Sequence, residues 1–383
     1  MTFGTLSSLP AASQNKPVLL IAAISGRSLA AAARRAGFRP LVADLFNDAD
    51  TLALAERAIK LAGTLQSGID EHRIVEALTQ LAGDDQPVAL VYGSGFEQNP
   101  AMLDTIAPTF PVAGNNAETI RLVKDPVRLS HLCTELRIPH PDICFNTPEN
   151  PKEWLTKLTG GAGGSHVKLA NGDACNGGRY FQRFVPGRNL SALFLADRNK
   201  SHVVGFSRQW ASPSREAPFR YGGAVRLQRY DKRNTGRIEE WLTGLTKRTG
   251  LCGLCSADFV DNGPDLHLIE INPRPGATLD IFDNETTPLI REHLRAITGT
   301  RVSVPAYADS RASAIAYTAK AISAFPKVVW PAQTADHQMP GTALEAGDPV
   351  CTVFATADSA AAAMRAAKDR VKEVAIHWRE DFR

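Results

Sequence analysis

The first hundred residues alternate between short apolar runs and helical patterns, and this alternation restricts the fold more than any other feature. The predicted strands cover residues 18–24, 40–43 and 88–92, and the predicted helices cover residues 29–36, 52–61 and 74–81. Strands that alternate with helices in this way are typical of a parallel sheet with helices on its faces. The sequence therefore predicts an α/β protein that begins with an open parallel sheet.

The turn after the third strand reads Gly93-Ser94-Gly95-Phe96-Glu97. It falls at the carboxyl end of a predicted strand, where open α/β sheets bind ligands. The complete G-x-G-x-x-G fingerprint of a dinucleotide fold does not follow the predicted strands. Two interpretations of the turn remain open, namely packing of the turn and contact with a substrate.

Residues 268–275 predict a strand that ends between two prolines. Glu270 and Asn272 are two residues apart, so a strand places their side chains on one face. Asp258 in the preceding apolar run adds a carboxylate, and Arg274 adds a guanidinium that can clamp phosphate or carboxylate oxygens. Because Mg²⁺ prefers oxygen ligands together with phosphate oxygens, this set predicts a Mg²⁺-phosphate site. The alternative is a hairpin strand whose polar face is merely solvated.

A glycine-rich segment follows Lys157 and holds Gly160, Gly161, Gly163 and Gly164. Glycines permit close approach of the backbone, and successive N–H groups can surround phosphate oxygens. The segment therefore predicts a phosphate-contacting loop, with a flexible hairpin as the alternative.

Composition and charge exclude several classes of protein. The 383 residues carry a net charge of +3, and no run of basic residues or basic-aromatic stripe indicates nucleic-acid binding. No apolar stretch approaches the roughly 20 residues needed to span a bilayer. Residues 1–16 are interpreted as a flexible tail rather than a signal peptide, and a cytoplasmic protein is expected. The pair Cys252 and Cys255 lacks partners that would complete a zinc site, so buried small residues are the preferred interpretation.

Taken together, these segments resemble the ATP-grasp superfamily from about Val18 to about Asp280. The resemblance implies an α/β ATP-grasp fold with an N-terminal open parallel-sheet domain at residues 17–116. An ATP-grasp domain would follow at residues 117–300, with a glycine-rich lid at about residues 145–185. A helix opened by Lys124-Asp125-Pro126 and ended by Ile138-Pro139 would link the two. Residues 301–383 would form a small C-terminal β-rich region.

The resemblance also implies roles for individual residues. The metal ligands for Mg²⁺ or Mn²⁺ would be Asp258, Glu270 and Asn272, and the catalytic residue would be Arg274. An ion pair of Arg274 with Asp280 or Asp283 is the alternative role for that side chain. The residues that would contact ATP are Lys124, Lys157, Gly160, Gly161, Gly163, Gly164, Gln182, Arg183, Val185 and Asn189.

Two positions depart from the family pattern. The first ATP-binding lysine of the family would fall near Pro126, whereas this chain has Lys124 two residues earlier. The adenine hinge usually opens with Glu, whereas this chain has Gln182, which can still hydrogen-bond the adenine edge.

The chemistry implied by the resemblance is ATP-dependent ligation of a small-molecule carboxylate to an amine through an acyl phosphate, with release of ADP. Looser similarities at residues 93–97, 182–191 and 221–223 look most like the ligases of methanofuran-type coenzymes, which join glutamate to tyramine or tyrosine. A biotin-carboxylase-like enzyme and a non-catalytic nucleotide-binding regulator remain open. A homo-oligomer is compatible with each of them.

Overall fold

The computed structural model describes residues 16–263 and 265–379, and its N-terminal part is built on a parallel sheet. The elements of this part are β1 Val18–Ala23, α1 Arg27–Arg35, β2 Arg39–Asp44, α2 Ala49–Leu54, β3 Arg57–Lys60, β4 Gly63–Thr64, β5 Gly68–Ile69, α3 Ile74–Ala82, β6 Ala89–Tyr92 and α4 Ala101–Ile106. The parallel strands lie in the order β3-β2-β1-β6, and β4 and β5 form a separate hairpin. The predicted open parallel sheet is therefore confirmed.

The β1 strand is buried on both faces, which explains why its sequence is an unbroken apolar run. Leu19 and Ile21 pack in the same core cluster as α1, whereas Leu20 and Ala22 pack in the cluster that contains α3 and α4. Parallel strands that are covered on both faces read as continuous apolar runs rather than as an alternation.

The predicted helix at residues 52–61 is wrong. Helix α2 ends at Leu54, Ala55 has extended backbone angles, and β3 then pairs in parallel with β2. Asp48 caps the start of α2 by accepting from the N–H groups of Asp50 and Thr51. The weak helical periodicity of this segment is therefore outweighed by backbone hydrogen bonds to the edge of the sheet, which a sequence window does not see.

Two consecutive helices and a small antiparallel sheet come next. These elements are α5 Ala117–Lys124, α6 Pro126–Glu135, β7 Ile143–Cys144, β8 Trp154–Leu158, β9 Lys168–Leu169 and β10 Arg179–Arg183. The strands lie in the order β7-β10-β8-β9, and we call these four strands and their connections the lid sheet. Asp125 separates the helices and accepts from the N–H groups of Val127 and Arg128, so the helix predicted to open there begins at Pro126.

An eight-stranded antiparallel sheet forms the rest of the molecule. Its elements and flanking helices are β11 Arg188–Asp197, β12 Ser201–Ala211, β13 Tyr221–Arg226, α7 Lys232–Thr249, β14 Cys252–Asp261, β15 Leu266–Asn272, α8 Leu279–Phe282, α9 Leu289–Ile297, β16 Ser310–Tyr317, β17 Thr334–Ala335, β18 Pro349–Ala357 and α10 Ala360–Ala375. The strand order of this central sheet is β15-β14-β11-β12-β13-β16-β18-β17. Because β16 pairs directly with β13, the C-terminal strands continue the central sheet rather than forming a sheet of their own.

A buried arginine ties the N-terminal layer to the later parts of the chain. Arg27 at the start of α1 pairs with Asp280 at 2.6 Å and with Asp336 at 2.8 Å. These contacts fix the carboxyl ends of the parallel strands against the central sheet.

Three further expectations concern the N-terminal tail, membrane-spanning segments and the cysteine pair. The predicted tail, residues 1–16, lies outside the described residues except for Lys16. Within residues 16–263 and 265–379, no helix is long and apolar enough to span a membrane. Cys252 and Cys255 are both buried, as expected for small core residues.

Candidate active site

Strands β14 and β15 bring the three predicted metal ligands together. Asp258 and Glu270 are opposite each other in the antiparallel register, and Asn272 follows Glu270 on the same face. The amide nitrogen of Asn272 donates to Asp258 at 3.0 Å and to Glu270 at 3.3 Å. We call these three side chains the carboxylate floor. The expected strand alternation thus produces one compact polar group.

Lys124 reaches the carboxylate floor from the last turn of α5. Its Nζ donates to Oδ1 of Asn272 at 2.8 Å and lies 3.7 Å from Oε2 of Glu270. The lysine therefore lies in the site although it precedes the expected position by two residues. The end of α5 at Asp125 is what aims it there.

Lys157 approaches from the lid sheet. It is buried, and its Nζ donates to Oε1 of Gln182 at 3.2 Å, so two of the predicted ATP contacts touch each other. Together with Lys124, Tyr180 and Glu270 these residues line a cleft between the lid sheet and the central sheet. The cavity volume of this cleft is only about 20 Å³. By this measure a single water needs roughly 10–15 Å³, so the cleft has room for about one water and not for a nucleotide.

The glycine-rich turn closes one end of the cleft. Gly160 has φ +72°, and a Cβ atom there would lie 2.4 Å from the carbonyl oxygen of Glu97. The carbonyl of Gly163 accepts from the N–H of Tyr221 at 2.8 Å, which docks the turn on β13. Only glycine permits this approach at Gly160, because the left-handed backbone and the close contact both disfavour a side chain.

The electrostatics of the site separate its two carboxylates. Burial, together with the charge of Glu270, raises the pKa of Asp258 to about 6. Burial also acts to raise the pKa of Glu270, but Lys124 and Lys157 outweigh it and hold that pKa at about 2. The site thus contains one strongly anionic carboxylate between two lysines and a second carboxylate that readily takes up a proton.

Two of the three predicted metal ligands could bind Mg²⁺ as they are oriented, and the third would have to turn. Two carboxylates offer hard oxygen atoms, and Mg²⁺ sites commonly combine one or two carboxylates with waters and phosphate oxygens. Asn272 presents its Nδ2 to the carboxylates and its Oδ1 to Lys124, so it would coordinate a metal only after its amide turned. Within the described residues, no group of three or more His, Cys, Asp or Glu side chains could hold a metal ion. Asp258 and Glu270 are therefore the primary candidates.

Arg274 forms a buried ion pair with Glu97, the last residue of the turn after β6. The Nε atom of Arg274 donates to Oε1 of Glu97 at 2.6 Å. The alternative pairing of Arg274 with Asp280 or Asp283 is wrong, because those carboxylates pair with Arg27 and Arg35. Burial acts to raise the pKa of Glu97, but Arg274 and Lys124 lower it below the usual range. The turn that the sequence left open thus contributes a charged group to the site.

Five predicted ATP contacts are outside the lining of the cleft, namely Gly163 and Gly164 in the glycine-rich turn and three residues near β10 and β11. Arg183 is exposed and pairs with Glu153 at 2.9 Å. Val185 is half-buried, and Asn189 is exposed at the start of β11. These side chains are near the connection from the lid sheet to the central sheet, and their contact with ATP stays a prediction.

Sequence reasoning missed several residues that support the carboxylate floor. Gln209 donates to Oδ1 of Asp258 at 3.2 Å from the middle of the central sheet. The buried amide of Asn115 donates to the carbonyls of Cys252 and Pro273 at 3.0 and 2.9 Å, and so fixes the backbone between Asn272 and Arg274. No sequence signal marks these contacts, because the partners are separated by 49 to 158 positions.

Comparison with known proteins concerns the domain and the fold. Residues 127–278 match the model of a family described as an ATP-grasp domain. None of the curated proteins searched matches the sequence.

Solved structures share the fold over nearly the whole chain. The biotin carboxylase domain of 2-oxoglutarate carboxylase from Hydrogenobacter thermophilus, solved with MgADP and bicarbonate, is 12% identical with a TM-score of 0.68. That alignment covers 94% of this chain and 90% of the other. Biotin carboxylase from Campylobacter jejuni is 13% identical with a TM-score of 0.68, and the coverage is 95% and 91%. The L-amino acid ligase from Bacillus licheniformis is 12% identical with a TM-score of 0.66, and the coverage is 94% and 98%.

The chain therefore contains an ATP-grasp domain and has the ATP-grasp fold. The prediction of an ATP-grasp enzyme that uses ATP and Mg²⁺ is confirmed at the level of this domain and fold. The roles of individual site residues remain predictions.

Proposed function

We propose that the protein is an ATP-dependent ligase that joins a carboxylate to an amine through an acyl phosphate and releases ADP and phosphate. One observation carries the proposal. Lys124 and Lys157, from different parts of the chain, converge on Glu270 in the cleft under the glycine-rich turn. Two cations beside hard oxygen ligands form a suitable place for the phosphates of ATP.

In this proposal the two lysines bind and orient the ATP phosphates, and the lid glycines donate backbone N–H groups to them. Asp258 and Glu270 would hold Mg²⁺, which would supply positive charge to offset the charge that develops on the transferred phosphoryl group. Arg274 holds the reacting carboxylate, because its planar guanidinium can bind two oxygens at once. The amine then displaces phosphate from the acyl phosphate, and an amide forms.

The tight fit of the lid sheet supports such an intermediate. An acyl phosphate hydrolyses when water reaches it, so the site must exclude water during the reaction. With the glycine-rich turn docked on Tyr221 and Glu97, the cleft of about 20 Å³ leaves space for about one water, so the site admits little solvent.

A screen for ADP release tests the proposal directly. The protein is incubated with MgATP and pairs of carboxylates and amines, and products are detected by mass spectrometry. ADP release that requires both partners, with a product mass equal to their sum less one water, is the expected result. ATP binding without turnover for every pair would indicate a nucleotide-binding regulator instead.

The finer proposal for the substrates is glutamate as the carboxylate and tyrosine or tyramine as the amine. It rests on the looser sequence similarities at residues 93–97, 182–191 and 221–223. The screen therefore includes this pair next to other amino-acid pairs, and the mass of the product decides between them.

A biotin-carboxylase-like reaction is the second candidate. It is favoured by the extent of the structural similarity, since the alignment to one biotin carboxylase covers 95% of this chain and 91% of that chain. Its signature would be ADP release that depends on bicarbonate and biotin and not on an amine.

A further inference from the structure

The ion pair of Glu97 with Arg274 joins the N-terminal layer to the candidate active site. Its N–O distance is 2.6 Å, and the two side chains retain only 2% and 8% of their exposure, respectively. A buried carboxylate and guanidinium that are separated from each other would each lose a partner without regaining water, so the pair is held firmly together. The arginine proposed to hold the reacting carboxylate is thus fixed by a residue 177 positions earlier in the chain.

The turn that carries Glu97 is itself rigid. Gly95 has φ +117°, and its N–H donates to the second carboxylate oxygen of Glu97 at 2.9 Å. Phe96 is fully buried and packs on the ring of Tyr92 with a centroid distance of 5.2 Å. Both oxygens of Glu97 therefore have partners, one in its own turn and one on Arg274.

The contact uses one end of the guanidinium and leaves the other end available. Arg274 donates to Glu97 through Nε and makes one long contact of 3.4 Å from Nη1 to the carbonyl of Pro275. Among the described residues, no hydrogen bond is found from Nη2. A planar guanidinium held at Nε presents its two terminal nitrogens as a fork for two oxygens.

The lid adds a second constraint on Glu97. Gly160 packs against the carbonyl group of Glu97, at a distance that admits no side chain. When the lid is docked, the backbone of Glu97 is held by the lid and its carboxylate is held by Gly95 and Arg274.

We propose that Glu97 is the positioning residue of Arg274, which it orients so that the terminal nitrogens of the guanidinium face the reacting carboxylate. The proposal rests on the proposed function of the site and adds a residue that does not itself touch substrate. It predicts that loss of the Glu97 charge lowers turnover through Arg274 and leaves ATP binding intact.

The test is a double-mutant cycle in the ADP-release assay with the substrate pair found for the wild type. Glu97→Gln should lower kcat at least about tenfold, with the KM and Kd for MgATP changed less than about twofold. In the Arg274→Lys background the same substitution should lower kcat by less than about twofold, because its route of action is already lost. Equal factors in both backgrounds, or wild-type kcat in Glu97→Gln, would overturn the proposal.

A matched control separates positioning from general stability. Asp283 is also a buried carboxylate paired with an arginine, Arg35, but it lies outside the site. Asp283→Asn should lower the melting temperature and leave kcat per folded molecule unchanged. A loss of kcat in Asp283→Asn as large as in Glu97→Gln would show that any broken buried pair has this effect, and would overturn the proposal.

A second variant keeps the test decisive if Glu97→Gln does not fold. Glu97→Asp keeps the charge and shortens the side chain, and it should lower kcat severalfold in the wild-type background and not in Arg274→Lys. Equal factors in the two backgrounds would again overturn the proposal. Failure of the proposed function looks different, because the wild type itself would then release no ADP with any pair.

Discussion

The carboxylate floor and the glycine-rich turn of the lid line the same cleft but are built in opposite ways. The floor lies on two paired strands and is braced by partners from distant parts of the chain, including Asn115 and Gln209. The glycine-rich turn is instead held through its backbone, which approaches Glu97 and accepts from the N–H of Tyr221, and it depends on positive φ angles at Gly160 and Gly163. The side chains of the floor are thus held in place by long-range hydrogen bonds, whereas the glycine-rich turn has only backbone contacts to keep its position, which favours local opening at the turn.

Replacing the central carboxylate of the floor should have the largest effect. Glu270→Gln removes the charge between Lys124 and Lys157, and with it a candidate Mg²⁺ ligand. We expect turnover to fall roughly a thousandfold, about 4 kcal/mol of transition-state stabilisation, while the fold remains intact. The measurement is ADP release at saturating Mg²⁺ beside a melting curve.

The control for that variant lies on the same strand as Asp258. Asp261→Asn removes a carboxylate that pairs with Arg188 at 3.2 Å, away from the floor, and should leave turnover unchanged. Near-wild-type ADP release by Glu270→Gln would remove Glu270 from the metal site.

A buried histidine in helix α9 should make the free energy of unfolding of the protein depend on pH. Burial lowers the pKa of His293 to about 4, although the hydrogen bond to the carbonyl of Ala113 at 3.0 Å acts to raise it. The other ring nitrogen accepts from the N–H of Leu254 at 2.8 Å. Above the unfolded pKa of roughly 6.5 the ring is neutral in both states and its contribution is fully present. As pH falls from 6.5 toward 4, the unfolded chain takes up a proton that the folded chain does not, so the free energy of unfolding falls.

The size of this effect is about 2 kcal/mol between pH 7.5 and pH 5. Denaturant unfolding at the two pH values should show that His293→Gln loses less stability than the wild type by about that amount. His166→Gln, in the lid, is the comparison, because burial lowers the pKa of His166 to about 4 as well. If the lid opens locally before the protein unfolds, His166→Gln should change the pH dependence of the free energy of unfolding less than His293→Gln does. Equal changes in the two variants would show that floor and lid unfold as one unit.

The variant Arg274→Lys tests whether the candidate active site needs a planar guanidinium or only a positive charge beside the carboxylate floor. Lysine offers a point charge and cannot reproduce the contact to Glu97 together with two free donors. Turnover should fall at least about tenfold, on the order of 1.4 kcal/mol, while ATP affinity changes little. Melting temperature, ATP affinity and turnover are measured together, and a loss of stability with unchanged turnover per folded molecule would assign Arg274 a structural role alone.

The smallest expected effect lies in the lid and has a control in the same turn. Gly160→Ala would place a Cβ atom 2.4 Å from the carbonyl oxygen of Glu97, whereas Gly163→Ala would meet nothing within 4 Å. Both variants carry the cost of a left-handed backbone, roughly 1 kcal/mol. The additional contact should raise the KM for ATP about fivefold in Gly160→Ala relative to Gly163→Ala. Equal KM values would show that docking of the lid on Glu97 does not matter for ATP use.

Local patterns predicted much of this protein because they depend on neighbours in the chain. The parallel sheet followed from alternating apolar and helical segments, and the shared face of Glu270 and Asn272 followed from the period of a strand. The helix predicted at residues 52–61 failed because an edge strand is stabilised by hydrogen bonds to β2, which the local sequence does not contain. Lys124 precedes the position expected for the first ATP-binding lysine by two residues. Because α5 ends at Asp125, which caps α6, its side chain nevertheless reaches the carboxylate floor.

The sequence by itself determined the class of fold, the residue types of the site and the glycines that its lid requires. The tertiary structure decided which charges meet, because ion pairs depend on how layers pack and not on spacing along the chain. Arg274 had Asp280 and Asp283 as neighbours in sequence, but packing of the N-terminal layer gives those carboxylates to Arg27 and Arg35 and gives Glu97 to Arg274. A buried guanidinium pairs with the carboxylate that is desolvated beside it, and only the folded chain establishes which carboxylate that is.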